Sequence, residues 1–400
     1  MKNSWIEDFP QLNKGLIYFD SAATSLKPYT VINSVNYYNS DLSTNIHRGM
    51  YKTAIQTTNL YEKTREVVAR FINSKPNEII YTRGTTSGLN LVAFSYGINN
   101  LKKGDEIIVS ELEHHSSFLP WQRVSKLTGA KLKFVPLNKY GRITVEAFQS
   151  VVSNRTKIVA LTYVSNVMGF MTPIEEIINI AHEYNAKVIV DAAQAIQHKS
   201  IDVKKLDCDF LAFSGHKMLG PTGIGILYGK ANLLENMEPF EYGGDMNEDV
   251  FKDASTWKSI PQKFEAGTMP IASAIALSKA IEYLEKIGLG KIHEYEMKIY
   301  QYAINRLNLI EGITIYNKNS DTGIISFNID NVPSHDAITF FAEKDIAIRA
   351  GQHCAKLICD WLGINSCLRA SFYIYNTEEQ IDEFLSVTKE AIKYFKELGF

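Results

Sequence analysis

The sequence predicts an α/β fold: a large domain on a mostly parallel β-sheet covered by helices, plus a smaller α+β domain at the C-terminus. Three observations predict it. Between residues 60 and 280, short apolar runs rich in Val and Ile alternate with amphipathic stretches, as expected of strands buried on both faces with helices returning between them. A length of 400 residues exceeds what one small core serves. From about residue 281 the alternation gives way to long helical patterns separated by a few strands.

The predicted strands of the first region are "EIIYT" (78–82), "DEIIVS" (105–110), "KLKFVPL" (131–137), "KIVALTYV" (157–164), "AKVIVD" (186–191), "FLAFS" (210–214) and "GIGILYG" (223–229). Helical patterns lie between them in "TSGLNLVAFSYGI", "SSFLPWQRVSKLTG" and "PIEEIINIAHEYN". Pro173 opens the last of these, where its missing N–H costs nothing. The second region is predicted to hold one long amphipathic helix, "IEYLEKIGLGKIHEYEMKIYQYAINRLNLI", then strands in "GIISFNID", "DIAIRAG" and "LRASFYIYN", and a final helix ending "AIKYFKELGF". Domain limits of 21–280 and 281–400 follow, with residues 1–20 a candidate to return and join the second.

Bulk composition narrows the function. Apolar residues make up 45% and charged residues 22%, as in an ordinary globular protein. Lys and Arg total 42 against 44 Asp and Glu, with no basic block, so no nucleic-acid partner is expected. No apolar run approaches the roughly 18 residues of a membrane span, and "MKNSWIEDFPQL" lacks the apolar core of a secretory signal. Four cysteines, Cys208, Cys354, Cys359 and Cys367, are too few for a disulfide framework; a cytoplasmic protein with reduced thiols is expected.

Ligands of open α/β sheets bind beyond the carboxyl ends of strands. After "EIIYT" come Thr85 and Thr86 at the start of a helix, either a cup for one phosphate group or a plain hydroxyl helix cap. After "DEIIVS" come His114 and His115. In extended chain they point to opposite faces, so one can lie over an aromatic ligand but the two cannot chelate one metal. Asn166 follows "KIVALTYV", and Asp191 closes "AKVIVD" with Gln194 three residues on. Ser214-Gly215-His216-Lys217 follows "DFLAF", and its lysine is either a surface charge or an amine placed to react.

"GPTGIG" precedes a strand, not a helix, which argues against a dinucleotide loop. Cys354, Cys359 and Cys367 with His353 are irregularly spaced for zinc. One cofactor makes the rest intelligible. Pyridoxal 5'-phosphate needs a phosphate cup (Thr85, Thr86, Ser214, His216), a ring-stacking imidazole (His114) and an acid on the pyridine nitrogen (Asp191). It also needs amides near its phenolate oxygen (Asn166, Gln194) and an amine to bind its aldehyde (Lys217).

The stretches "SGHKMLGPTGIGILYG", "VDAAQAIQH", "SELEHHS", "YTRGTTSGLNLVA", "YFDSAATS" and "FEAGT" resemble the fold-type I, class V aminotransferase-like enzymes, and most closely the Suf-type cysteine desulfurases. The resemblance runs in order from Tyr18 to Asn376. Through "RAGQHCA" and "LRASFYIYNT" it implies that Cys354 is the nucleophile that receives sulfur as a persulfide. It implies that Arg369, with Arg349 nearby, binds the substrate carboxylate, and that His114 stacks on the cofactor ring and moves protons. It places Thr268 on the phosphate of the other subunit of a homodimer and His47 and Arg48 at the substrate entrance. It further implies L-cysteine as substrate, L-alanine as product, a SufE- or SufU-like sulfur acceptor, and a role in iron–sulfur cluster assembly. Selenocysteine lyase and aminotransferase chemistry are the competing expectations, and a non-catalytic cofactor-binding scaffold is the third. A free thiol ionises near pH 8.5, so lowering by Arg349 or His353 is expected to assist Cys354. Two positions depart from the family pattern: Lys356-Leu357 follow "HCA" where Gln-Pro is expected, and Gln352 replaces a second histidine.

Overall fold

The computed structural model describes residues 5–400; the first four residues of the N-terminal segment considered above lie outside that range. Seven strands form the central sheet: β1 (Ile79–Thr82), β2 (Glu106–Val109), β3 (Lys131–Phe134), β4 (Thr156–Thr162), β5 (Lys187–Asp191), β6 (Phe210–Ser214) and β7 (Gly225–Gly229). Their spatial order is β1-β7-β6-β5-β4-β2-β3. Only β7 runs against its neighbours β1 and β6; the other adjacent pairs are parallel. Val188, Val190, Leu211 and Phe213 bury one face while Ile189, Phe210 and Ala212 bury the other, which accounts for the unbroken apolar runs.

The covering helices include α1 (Lys52–Phe71), α2 (Thr85–Leu91), α3 (His115–Thr128) and α4 (Ile174–Glu183). The predicted long C-terminal helix is two helices, α5 (Ile271–Ile287) and α6 (Leu289–Leu307). Gly288 parts them at φ 93°, a left-handed conformation open to glycine and costly for other residues, so the chain turns where periodicity alone predicts continuation. In α5, Ile275, Ile281 and Leu284 join the core of the large sheet; in α6, Ile299, Ala303 and Leu307 join a second core.

That second core lies under a four-stranded antiparallel sheet of β8 (Ile313–Ile315), β9 (Ile324–Ile329), β10 (Arg349–Gly351) and β11 (Cys367–Ser371), ordered β8-β9-β11-β10. The short α7 (Lys356–Trp361) leads back to β11, and α8 (Glu378–Glu397), opened by a Thr377–Gln380 capping box, closes the chain. Phe327, Phe341 and Phe384 meet edge-on or tilted at its centre, each worth roughly 1.5–3 kcal/mol of burial.

"DIAIRAG" is also divided. Ile346–Ala347 pairs in parallel with Ile17–Tyr18, whereas Arg349–Gly351 pairs with β11. The segment following residue 16 is thereby tied to the second core, where Ile17 and Phe19 are buried; Phe9 packs in the first. The consequence for the site is that Asp20 is carried to the mouth of the large sheet beside two arginines from the far end of the chain.

Candidate active site

The carboxyl ends of β1, β4, β5 and β6 converge on a cavity of about 290 Å³. Of the residues singled out in the sequence, Thr85, Thr86, His114, Asn166, Asp191, Gln194, Ser214, His216, Lys217, Arg349, Cys354 and Arg369 all line it. Thr85 through Lys217 follow or close strands of the large sheet, whereas Arg349, Cys354 and Arg369 come from two strands of the small sheet and the loop after the first of them.

One wall is built of hydroxyls at a helix start. Thr85 is the first residue of α2; its N–H donates to Ser214 Oγ at 2.8 Å, and the two hydroxyls lie 2.7 Å apart. Thr86 Oγ1 is 2.7 Å from Ser116 Oγ, so Ser116 joins this wall although the sequence reading passed over it. The approach is close because Gly225 stands opposite: a Cβ there would lie 2.5 Å from the Cα of Gly84.

The opposite end is acidic. Asp191 is buried; loss of hydration raises its carboxyl above the ordinary range, opposed by the Ala193 N–H that donates to Oδ1 at 2.9 Å and by the charge of Lys217. Burial in turn pushes the Lys217 amine down to about 8, with Asp191 opposing. Beside His114, buried Glu113 was not foreseen. Desolvation drives its carboxyl up to about 8, so it holds its proton at neutral pH and adds no second negative charge near Asp191.

His114 also caps α3, its Nδ1 accepting the Ser116 N–H at 3.1 Å. Burial and the charge of Lys217 lower its imidazole to about 4, and the same two causes, in the same order, lower His216 to about 4. Both rings are therefore neutral at physiological pH. His114 and His115 do separate as expected, but at a helix start and not in extended chain: His114 lines the cavity and His115 opens α3.

At the cavity, one buried amide atom and one buried guanidinium atom lack partners among the described residues. Asn166 donates from Nδ2 to the His353 carbonyl at 2.8 Å, while its Oδ1 has none. Arg369 is buried, with one terminal nitrogen on the Asn166 carbonyl at 2.8 Å and the other 3.3 Å from Asp20, while Nε is unsatisfied. Arg349 binds the same Asp20 carboxylate at 2.8–3.1 Å. Asp20 thus offsets one of two positive charges. Sequence reasoning missed it because the partners lie 329 and 349 residues apart. Gln194 donates to the Ala22 carbonyl at 2.6 Å, leaving one amide N–H for a ligand.

Cys354 is exposed at the cavity, on a backbone with φ 51° at His353 and 54° at Cys354. Left-handed geometry at two successive non-glycine residues costs about 1–2 kcal/mol apiece and persists only where surrounding contacts over-determine it. The expectation that His353 helps ionise the thiol is corrected. Burial and the charge of Arg369 pull its imidazole to about 3, and its Nε2 donates to the Cys367 carbonyl at 3.0 Å.

Three expected site residues do not line this cavity. Thr268 borders a separate hollow of about 210 Å³ with Arg83 and Phe264. His47 bonds Glu62 at 3.0 Å, and Arg48 pairs with Asp245 at 2.8 Å. The Gly267 N–H donates to the Gly244 carbonyl at 2.8 Å, so Arg48, residues 244–245 and Thr268 share one outer face. Among the described residues, no group of three or more His, Cys, Asp or Glu side chains is arranged to hold a metal ion, and no helix is long and apolar enough to cross a membrane.

An α/β fold whose cavity joins a hydroxyl cup, a buried acid and a lysine with a lowered pKa defines a class of protein, and residues 17–384 match the aminotransferase class-V family model. The chain belongs to that family. It is 49% identical to a probable cysteine desulfurase of Halalkalibacterium halodurans over 95% of this chain and 94% of that one. It is 46% identical to a probable cysteine desulfurase of Staphylococcus aureus over 98% and 97%. The crystal structure of the cysteine desulfurase CsdA from Escherichia coli superposes with a TM-score of 0.93 at 38% identity, covering 98% of this chain and 99% of that one. A cysteine desulfurase from Thermococcus onnurineus gives 0.94 at 38% identity, covering 98% of each chain.

Proposed function

We propose that the protein is a pyridoxal-phosphate-dependent cysteine desulfurase that moves sulfur from L-cysteine to Cys354 and releases L-alanine. The observation that carries this is the meeting in one cavity of Lys217 and Asp191 with Cys354 and Arg369. The donor set fits the cofactor. Thr85, Thr86, Ser214 and His216 would hold the phosphate at the α2 N-terminus, Asp191 the pyridine nitrogen, Asn166 and Gln194 the phenolate oxygen, and His114 the ring face. Lys217 would bind the aldehyde. The raised carboxyl of Asp191 is a feature of a site that gains stability by taking up such a ligand, whose protonated ring nitrogen would donate to it. When bound, pyridoxal phosphate supplies an electron sink that makes the substrate α-proton acidic.

The chain's own groups do the rest. Arg369 presents its planar fork to the substrate carboxylate, and Arg349, held by Asp20, adds positive charge beside it. Lys217, ionising near pH 8, can take and return a proton at the substrate α-carbon. The Cys354 thiolate attacks the substrate sulfur: an S–S bond forms, the substrate Cβ–S bond breaks with its electron pair left on carbon, and the carbon skeleton takes up a proton and departs as alanine.

Exposure of Cys354 favours hand-over of its persulfide to a SufE- or SufU-like acceptor protein for iron–sulfur cluster assembly. Thr268, His47 and Arg48 serve the neighbouring subunit of a homodimer. Exposed Met50, Tyr242, Val250 and Phe251 in the segments around them favour such a contact. The two cores support two units that part near Gly288, later than residue 280, because Ile281 and Leu284 pack in the first core, with the segment from Ile17 joined to the second. Four free cysteines agree with a cytoplasmic location.

The test is to supply L-cysteine and a thiol reductant to the yellow holoenzyme and follow alanine and sulfide together. Equal release, lost in Cys354→Ala while the visible band survives, is expected. Alanine formed by that variant at the wild-type rate would remove Cys354 from the chemistry and favour another reaction on this scaffold.

A further inference from the structure

We propose that His115 is the positioning residue of the loop that carries Cys354, gripping it just after the nucleophile, on both sides of Ala355. Its backbone N–H donates to the Cys354 carbonyl at 2.7 Å, and its imidazole Nε2 accepts the Lys356 N–H at 3.1 Å. One residue thus holds two backbone groups that bracket Ala355, immediately after the left-handed pair at His353 and Cys354.

The sequence order makes this grip possible. His115 is the first residue of α3, so its N–H is one of the donors that no helical carbonyl can satisfy. Lys356 likewise opens α7, and its N–H is an orphan of the same kind. Each helix start therefore offers a donor without an internal partner. His115 uses its own on the loop and accepts the other with its ring. Acceptance at Nε2 requires the tautomer protonated on Nδ1, and burial lowers the imidazole below its ordinary value, which keeps that lone pair free at neutral pH.

The remaining tethers of the loop come from elsewhere. Asn166 holds the His353 carbonyl, the Cys367 carbonyl holds the His353 ring, and the Ala355 N–H turns back to the Gln352 carbonyl at 2.8 Å. Those contacts fix the approach to Cys354; on the far side, the contacts to His115 fix the departure. The ring contact is to main chain, so it is indifferent to the replacement of Gln-Pro by Lys356-Leu357 at the helix start. His114 lines the cofactor cavity one residue earlier, so this dipeptide sets the distance between the ring-stacking group and the nucleophile.

The inference rests on Cys354 being the sulfur-accepting thiol, and the test separates the two. In holoenzymes of wild type, His115→Ala and His115→Gln, the rate of Cys354 alkylation by iodoacetamide is followed by mass spectrometry alongside kcat, KM for L-cysteine and the visible cofactor band. His115→Ala should change the alkylation rate at least threefold and lower kcat at least tenfold, with KM within twofold and the band unchanged. His115→Gln, whose side-chain oxygen reaches the position of Nε2, should recover both rates to within threefold of wild type. Should His115→Ala not fold, His115→Asn, too short to reach Lys356, takes its place. Alkylation and kcat within twofold of wild type in the truncated variant, Gln as impaired as Ala, or a joint loss of kcat, KM and band would each overturn the proposal. A wild type that releases no sulfide, with the alkylation contrast intact, would sink the desulfurase reading and leave the loop contact standing.

Discussion

The two halves of the site are built on opposite principles. The cofactor end sits where strands of one sheet stop: Thr85 and Ser214 bond each other, Asp191 closes β5, and Lys217 follows the last residue of β6 within a turn. Its backbone has glycines at points of close approach, and the nearest left-handed non-glycine residue, Leu219 at φ 66°, lies two residues past Lys217 and outside the cavity lining. The nucleophile end rises from the second core on a loop with two left-handed non-glycine residues, held by contacts from Asn166, His115 and Cys367. The difference teaches that the group which stays bound is held by rigid secondary structure. Cys354, which under the proposed reaction would meet both substrate and acceptor, sits on a strained, exposed segment stabilised from outside.

The sharpest way to break this comparison is at the rigid end. Lys217→Ala should lower sulfide release by at least about 10³-fold and abolish the visible band of the lysine-bound cofactor, measured by steady-state assay and absorbance. Cys354→Ala, by contrast, keeps the band. A smaller effect is expected where the cup is merely crowded. Gly225→Ala brings a Cβ to 2.5 Å from Gly84 Cα, and overpacking of about 1–3 kcal/mol should weaken cofactor retention roughly 5–150-fold, read by equilibrium dialysis.

The pH dependence sharpens the same end. Burial lowers Lys217 from 10.5 to about 8, so the neutral, nucleophilic amine is gained at lower pH than for a free lysine. Loading of the apoenzyme with pyridoxal phosphate should accelerate as pH rises through about 8 and level above it. His114, at about 4, contributes no transition between pH 6 and 8. A midpoint above 10 in stopped-flow absorbance would show that the amine is not desolvated. The smallest effect belongs to neither end. Gly288→Ala meets no atom within 4 Å but forces alanine to φ 93°, at a cost of about 1–2 kcal/mol. Thermal unfolding should fall by a few degrees, with turnover unchanged.

Much of the rigid end was legible in the sequence, because its residues are local to the ends of apolar runs whose strand character is set by β-branched side chains. "FLAFS" and "AKVIVD" place Ser214, Lys217 and Asp191 with no knowledge of neighbours. The single predicted helix around Leu289 shows the limit of periodicity. A residue at positive φ interrupts the hydrogen-bond ladder while leaving the apolar pattern on both sides in place. "DIAIRAG" divides between two sheets for a related reason: strand propensity describes one chain, and pairing requires a partner.

The sequence by itself determined which residue types stand at strand ends, the positions of the lysine and thiol proposed to react, and the alternation that makes a helix-covered sheet. Only the tertiary structure decided that Asp20 restrains Arg349 and Arg369, that Glu113 is buried with a raised pKa, that His353 is neutral, and that His115 grips the Cys354 loop. The physical reason is one of range. Backbone conformation answers to neighbours a few residues away, whereas charge, protonation and loop strain answer to groups brought together from the two ends of the chain, and burial sets their strength.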